Sequence, residues 1–334
     1  MRKLNVVTFG VGVIGSLTAK FILEEKGGVM DLVGAYDIDQ KKVGRDLGAV
    51  IGLGSSTGVK VSDDLRSVLT KDVDIAIHTT ASYLKAAVPQ IESIVARGVD
   101  VVSSCEELSY PYVVDKELTS KLDSSAKKHG VTVLGTGINP GFLMDALPIA
   151  LTAPCKSIEK ITVTRRMNAA TRRVPFQKKV GAGLTMAEFQ KAIEDGKISG
   201  HVGLEQSAWM LADAIGWKLD GVEIGEVEAV IAESPEKGYV DIPAGRVTGV
   251  KQSARGTVAG EPLIQLNFMA YVGSKEEYDQ VEIEGIPPVN CRISPCIHGD
   301  HGTVAMLVNM APKVVASQAG LRTMKDMQLP SAFL

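Results

Sequence analysis

A chain that runs Leu4-Asn5-Val6-Val7-Thr8-Phe9 into Gly10-Val11-Gly12-Val13-Ile14-Gly15 and then into a helix-spaced segment has few folds open to it. Residues 4–9 read as a short strand buried in a parallel sheet. Ser16 to Leu23 reads as helix. Strand, Gly-x-Gly-x-x-Gly, helix is the order of a dinucleotide-phosphate turn. In that reading Gly10 permits the tight turn. Gly12 keeps a side chain out of the path of a pyrophosphate, and Gly15 lets the helix lie close to the strand. The helix start, at Val13 and Ile14, offers free N–H groups and a positive dipole end to the phosphates.

The motif alone is a weak signal in a chain with 34 glycines, so context decides its weight. Leu32 to Tyr36 reads as a second strand, and it ends at Asp37, 22 positions past Gly15. An acidic residue there is placed to bind ribose hydroxyls. Lys41 and Lys42 are expected to begin a helix, either as solvated residues or as attraction for an adenosine 2′-phosphate. NAD or NADP therefore both remain open as cofactor. Residues 46–58 are glycine-rich and are expected to be a loop.

The bulk properties exclude several classes. At 334 residues the chain is long enough for two domains. A net charge of −3 gives no basic footprint for nucleic acid or an anionic membrane. No apolar run reaches the ~18 residues of a membrane span. The start, Met1-Arg2-Lys3-Leu4, enters a strand at once, so no signal peptide and a cytoplasmic location are expected. Cys105, Cys155, Cys291 and Cys296 are scattered, as free thiols in a reducing compartment would be. The histidines do not cluster with them, so no metal site is expected.

The alternation of strand and helix continues. Asp63 to Leu69 reads as a helix with an acidic start. Asp74 to Thr80 reads as a buried parallel strand whose carboxyl end places His78, Thr79 and Thr80 near a cofactor. His78 could equally be a structural histidine. A helix over residues 82–97 leads to the strand Val99–Cys105, which ends in Glu106-Glu107. If the backbone there is still extended, the two side chains diverge and one faces the cleft. A carboxylate against low-dielectric walls suits proton transfer, whereas its neighbour serves as a helix-start residue. A helix over Asp115–Lys128 and a strand over Val131–Leu134 follow. The loop Gly135-Thr136-Gly137-Ile138-Asn139-Pro140-Gly141-Phe142 is expected to complete the nicotinamide pocket, with Asn139 able to donate and accept.

The fold class is therefore α/β: a Rossmann doubly wound parallel sheet over residues 1–150, then a second α+β domain with a mixed or antiparallel sheet over 151–300. Residues 301–334 form a C-terminal helix and tail expected to return to the first domain. In the second domain Ile158 to Arg166 alternates as a half-buried strand. Parity puts Arg165 with Ile161 and Val163, and Arg166 on the other side. Arg166, Asn168 and Arg172 share a parity that a turn at Ala169-Ala170 breaks. This basic run can serve a substrate carboxylate or lie on the surface. Thr185-Met186-Ala187-Glu188 is a capping-box pattern. Glycines on either side of His201 suggest a backbone held close to something. Alternating segments at 226–232, 244–256, 263–272, 281–286 and 289–293 read as antiparallel sheet, and Thr303 to Ala311 reads as an apolar helix.

These stretches carry a resemblance. Ser104-Cys105-Glu106-Glu107-Leu108-Ser109-Tyr110-Pro111, the 135–142 loop, Val180-Gly181-Ala182-Gly183-Leu184, Gly200-His201-Val202-Gly203, Gly216-Trp217, Gly302-Thr303-Val304-Ala305 and Leu321-Arg322-Thr323-Met324 together resemble the amine dehydrogenase and 2,4-diaminopentanoate dehydrogenase family. That family is related in its first domain to dihydrodipicolinate reductase, whose paired-histidine, lysine and Ser-Gly-Thr motif is absent here. The resemblance implies an NAD(P)-dependent oxidoreductase that interconverts an amine with a ketone and ammonia. It implies Glu106 as the catalytic carboxylate, and Asn139, Arg166, Asn168 and Arg173 as a polar substrate pocket, with Thr171 and His201 beside it. It also implies a homodimer formed through the second domain's sheet. Three other readings stand beside it. One is an NAD(P)H sensor without turnover. Another is a reductase of the dihydrodipicolinate reductase type. The third is a dehydrogenase of C–OH or aldehyde groups, for which no Cys or Lys nucleophile is placed.

Overall fold

The computed structural model describes residues 2–333. The chain divides into two compact units. The first comprises the chain up to Phe142 together with the part from His298 onward, and the second is Leu143–Ile297. The change-over lies at 142/143 rather than near 150.

The first unit begins with β1 (Leu4–Phe9), α1 (Val13–Glu25), β2 (Met30–Tyr36), α2 (Leu47–Ile51), β3 (Val61–Ser62) and α3 (Leu65–Val68). The chain then crosses back to β4 (Ile75–His78), α4 (Leu84–Val95), β5 (Asp100–Ser103), α5 (Lys116–His129) and β6 (Thr132–Gly135). All neighbouring strands pair parallel. The order is β16-β6-β5-β4-β1-β2-β3, where β16 is Gly320–Arg322 near the C-terminus. Strand order reverses between β1 and β4, which makes that edge the ligand crevice of an open doubly wound sheet. The register aligns the carboxyl ends: Tyr36 pairs with Phe9, Phe9 with His78, His78 with Ser103, and Ser103 with Gly135. The strands are apolar on both faces. Val7, Phe9, Ala76, Val101 and Val133 share a buried core with α4 and α5. Helix α1 packs against α10 (Gly299–Val315).

Three local expectations change. Residues Lys41 and Lys42 lie in a turn, not at a helix start, because the Asp39 side chain accepts the Lys41 N–H at 3.0 Å and Asp37 draws Lys42. The segment expected to be loop contains α2, because Asp46 caps it, accepting from the Gly48 N–H at 2.8 Å and from the Thr57 and Gly58 N–H groups. The tail contains a strand, β16, whose three residues pair with β6.

The second unit contains α6 (Ala146–Thr152), β7 (Ser157–Asn168), α7 (Val174–Lys179), α8 (Met186–Glu194) and α9 (Leu204–Ile215). Then come β8 (Gly221–Ile224), β9 (Glu228–Ile231), the short pair β10 (Glu236–Lys237) and β11 (Asp241–Ile242), and β12 (Val247–Val258). The unit closes with β13 (Glu261–Tyr271), β14 (Tyr278–Ile286) and β15 (Val289–Ile293). Its seven-stranded sheet runs β15-β14-β7-β13-β12-β8, with β9 also on β12. The β7–β13 pair is parallel and the other pairs antiparallel, so the sheet is mixed. Both hydrogen bonds of the Thr185–Glu188 capping box form at the start of α8. Strand β7 alternates: Ile161, Val163, Arg165 and Met167 are buried beneath α9, and the intervening residues lie on the other face. Among the described residues no helix is long and apolar enough to cross a membrane.

Candidate active site

In the first unit the three motif glycines are glycines for different reasons. Gly10 has φ +95°, and its N–H donates to the Tyr36 carbonyl at 2.8 Å. A Cβ there would press on the Thr80 methyl at 2.7 Å. A Cβ on Gly15 would fall on the Gly10 carbonyl and lie 2.8 Å from Thr79 Oγ1. Both sites are closed to side chains by the protein itself. A Cβ on Gly12 would meet no protein atom within 4 Å. Gly12 is also the N-cap of α1, and no side chain caps that helix. Among the described residues no side chain takes its first-turn N–H groups, which lie at the sheet's switch point. This is the arrangement a bound pyrophosphate requires, and the residues fit a dinucleotide.

Asp37 stands at the end of β2. Its Oδ2 accepts from the Val11 N–H at 2.8 Å and from Lys42 Nζ at 2.9 Å, and its Oδ1 accepts from the Asp39 N–H at 2.9 Å. Burial pushes the carboxyl up. The Asp39 N–H, Lys42 and the Val11 N–H together outweigh burial and hold it below its ordinary value. A carboxylate has roughly four acceptor positions, so one remains on Oδ1. Lys41 is exposed. Thr79 Oγ1 donates to the Gly10 carbonyl at 2.9 Å, and Thr80 Oγ1 donates to Gln90 Oε1 at 2.7 Å. Both threonines thus brace the glycine turn and its surroundings. His78 is fully buried, and burial pushes its pKa down to about 4 against a small rise from Gln90.

After β5 the backbone does not stay extended. Glu106 has φ −61° and ψ −45° and leads into a 3₁₀ turn at Glu107–Ser109. The alternation that was to separate the two glutamates is therefore lost, and the separation comes about differently. Glu107 Oε2 accepts the Leu84 N–H at 2.6 Å and so caps α4. Glu106 is half-buried, and its carbonyl accepts from the Ser109 N–H at 3.1 Å and Ser109 Oγ at 2.7 Å. The turn rests on the end of β6: a Cβ on Gly135 would lie 2.5 Å from the Leu108 carbonyl oxygen and 2.7 Å from the Ser109 nitrogen. Burial, helped by the charges of Glu106 and Glu107, pushes the neighbouring Cys105 thiol up to about 12, so it is no nucleophile. The loop after β6 carries Asn139, half-buried, and is held by Thr303 Oγ1, which accepts the Ile138 N–H at 3.3 Å. Thr303 was not foreseen as a loop anchor.

In the second unit the expected substrate residues do not form one cluster. Arg166 lies on the face of β7 away from α9, donating to Ser274 Oγ at 3.0 Å and to the Tyr271 hydroxyl at 2.5 Å. Asn168 Oδ1 accepts from the Ala170 N–H at 3.0 Å and the Gly273 N–H at 3.3 Å, which fixes the turn after β7. Thr171 and Arg173 are exposed beyond it. His201 is on the opposite face. Its ring stacks on Phe268, centroids 4.4 Å apart and 7° from parallel, and Phe268 pairs with Arg165, not Arg166. Its Nε2 is buried and has no hydrogen-bond partner among the described residues. Burial first, then the charges of Arg165 and Lys179, push its pKa down to about 3, so it is neutral. Gly200 finds its reason in Gln252: a Cβ there would collide with the Gln252 side chain, whose Oε1 accepts the His201 N–H at 2.9 Å, whereas Gly203 takes φ +111° as the N-cap of α9. Beside His201 the buried Arg165 pairs with Asp279 at 3.0 Å. The two clamp Ile297, Asp279 accepting its N–H at 2.8 Å and Arg165 donating to its carbonyl at 2.5 Å. Parity foretold the burial of Arg165; nothing in the sequence foretold its partner.

The model for the C-terminal domain of 2,4-diaminopentanoate dehydrogenase matches residues 142–334. The chain belongs to the 2,4-diaminopentanoate dehydrogenase family. It is a dehydrogenase enzyme. It is 33% identical to the 2,4-diaminopentanoate dehydrogenase of Acetoanaerobium sticklandii over 356 aligned positions, which take in 100% of this chain and 96% of that one. The solved structure of an amine dehydrogenase from Mycobacterium smegmatis superposes with a TM-score of 0.83 at 26% identity, over 98% of this chain and 97% of the other. The WlbA dehydrogenase from Bordetella pertussis, solved with NADH and UDP-GlcNAcA, shares the fold at a TM-score of 0.53 and 15% identity, over 93% and 88% of the two chains.

Proposed function

We propose that the enzyme oxidatively deaminates an amine that carries a carboxylate, and that it runs the reverse reductive amination of the ketone with ammonia. The single observation that carries this reading is the seat of Glu106, a half-buried carboxylate at the strand end of the same sheet edge as a dinucleotide turn shaped to the requirement of a pyrophosphate. The bound dinucleotide supplies hydride exchange. The phosphates take the first-turn N–H groups of α1. Asp37, kept ionised by its donors, offers its remaining acceptor to a ribose hydroxyl. A 2′-phosphate would meet that negative charge, and Lys42 is already committed to it, so we assign NAD(H) as the preferred cofactor.

Glu106 moves the protons. In the direction of amination, Glu106 takes a proton from ammonium and gives it to the ketone oxygen as the freed ammonia adds to the carbon, which leaves a hydroxyl and an ammonium on one carbon. Glu106 then takes a proton from that ammonium and passes it to the hydroxyl, water leaves, and an iminium remains beside the carboxylate. The negative charge of Glu106 stabilises that cation as it forms. Asn139 on the loop after β6 orients the reacting groups. Arg166 and Arg173 favour a carboxylate on the substrate. Arg166, Asn168, Thr171 and Arg173, at the end of β7 and the turn after it, are the proposed substrate residues; His201, on the opposite face of the sheet, is not among them. The second-unit sheet is the proposed homodimer surface.

The test is a set of initial rates of NAD reduction with 2,4-diaminopentanoate and with an uncharged amine of similar length, followed by the reverse reaction with and without ammonia. The reading expects turnover that needs the amine, favours the carboxylate-bearing compound and needs ammonia in reverse. Turnover on an alcohol or aldehyde without ammonia would overturn it.

A further inference from the structure

Phe9, His78 and Ser103 stand side by side in the last paired row of the first-unit sheet. His78 makes contacts on both ring nitrogens. Its Nδ1 is 2.8 Å from Ser103 Oγ, and its Nε2 is 2.8 Å from Thr80 Oγ1 and 3.3 Å from Gln90 Oε1.

The direction of every proton in this chain can be worked out. The Gln90 amide nitrogen donates to the Ala86 carbonyl at 3.2 Å, which turns Oε1 toward Thr80 and His78. Thr80 gives its proton to that Oε1. Toward His78, Thr80 Oγ1 and Gln90 Oε1 can then only accept, so Nε2 carries the hydrogen. In a neutral ring Nδ1 has none and must accept from Ser103 Oγ. The Ser103 oxygen keeps a lone pair for the Cys105 N–H at 3.1 Å. Burial favours the neutral ring. Each hydroxyl gives one hydrogen bond and receives one, and no polar atom is left over.

The two ends of this chain reach the two halves of the proposed site. At one end Ser103 holds Cys105, the residue before Glu106. At the other, the Thr80 methyl packs against Gly10, the first glycine of the dinucleotide turn. We propose that His78 is a positioning residue that holds both halves, aligning the Glu106 carboxylate through Ser103 and the glycine turn through Thr80. The proposal rests on the assignment of Glu106 and the turn made above.

The two arms can be cut separately. His78→Asn keeps an acceptor near Nδ1 for Ser103 and loses the donor to Thr80. His78→Gln places an amide donor near Nε2 for Thr80 and loses the acceptor for Ser103. For His78→Asn the expected result is a rise in the NAD KM of about fivefold or more, with kcat within about twofold of wild type. For His78→Gln it is a fall in kcat of about tenfold or more, with the NAD KM within about twofold. Thr80→Val and Ser103→Ala should reproduce the same split, and they carry the test if a histidine variant does not fold. In the wild-type enzyme, ¹⁵N NMR of the His78 ring should show a neutral imidazole with hydrogen on Nε2. Equal effects in both arms, no effect in either, or hydrogen on Nδ1 would overturn the proposal. Loss of the parent reading would look different: the wild-type enzyme itself would show no amine-dependent NAD reduction, whatever His78 does.

Discussion

Gly135→Ala adds one methyl group under the turn that carries Glu106. Nothing in the glycine's φ forbids alanine, so the effect is one of space. The new Cβ would lie 2.5 Å from the Leu108 carbonyl oxygen and 2.7 Å from the Ser109 nitrogen, where ordinary contact begins at 3.4 Å. Both obstacles are backbone, which cannot rotate aside. The 3₁₀ turn at Glu107–Ser109 must therefore retreat by about 1 Å, a displacement that can cost on the order of a hundredfold in rate when it misplaces a reacting group. Overpacking of this kind costs about 1–3 kcal/mol of stability. The expected variant is folded, melts a few degrees lower, binds NAD with near-normal affinity and has a kcat reduced about a hundredfold. Calorimetric NAD titration, thermal unfolding and steady-state rates measure the three quantities. A variant with unchanged kcat would show that the turn's position does not matter to the chemistry, and the argument from Gly135 to Glu106 would fail.

Gly12→Ala should behave in the opposite way. No protein atom resists its Cβ, so stability is expected to hold within about 0.5 kcal/mol, while NAD affinity falls by at least about tenfold, a loss of about 1.4 kcal/mol; calorimetry against urea denaturation separates the two. Removing one member of the buried Arg165–Asp279 pair leaves a charge without compensation, so Arg165→Met or Asp279→Asn is expected to cost about 3–5 kcal/mol in urea denaturation. Arg165→Met with Asp279→Leu should recover at least half of that, and a double variant as unstable as the singles would contradict the pairing. The pH dependence follows from groups that burial shifts. His78 and His201 have pKa values lowered to about 4 and about 3, so as pH falls through their ordinary value of 6.5 the unfolded state takes up protons first and stability is lost. Burial raises Asp100 to about 6, so its contribution is present at low pH and lost as pH rises from 3.8 through 6. Between about pH 5 and 6 the two histidines outweigh Asp100, while Asp279, which burial also raises, acts in the same sense as Asp100, so stability should rise with pH by at most about 1.4 kcal/mol per unit. Denaturation midpoints across that range should show the slope, and His78→Asn should flatten it.

The first unit was largely legible because its signals are local. Apolar runs that end in glycine turns identify parallel strands, and the register then brings Gly10, His78, Ser103 and Gly135 to one edge. What the sequence did not show depended on side chains finding distant or capping partners. Asp46 reaches Thr57 and Gly58, and so orders a segment whose glycines suggested a loop. Asp37 and Asp39 bend the Lys41–Lys42 segment into a turn. The Glu106–Glu107 pair was read with strand parity, but the strand had already ended at Ser103. The site in the second unit was the least legible. Parity correctly separated Arg165 from Arg166, yet only the tertiary stacking of His201 on Phe268 shows which of the two faces His201 occupies. The three residues of β16 had no pattern of their own to find, since they pair with the sequence-distant β6, Gly320 against Thr132 and Arg322 against Leu134.

The most direct test of the account is the rate of amine-dependent NAD reduction by the wild-type enzyme, Glu106→Gln and Glu106→Ala, each shown by calorimetry to bind NAD. General acid–base catalysis by a positioned carboxylate contributes about 10²–10⁴-fold. The wild-type enzyme should turn over, and both variants should lose kcat by that factor while holding NAD with unchanged affinity. Variants that bind NAD and deaminate the amine at close to the wild-type rate would show that Glu106 is not the proton carrier.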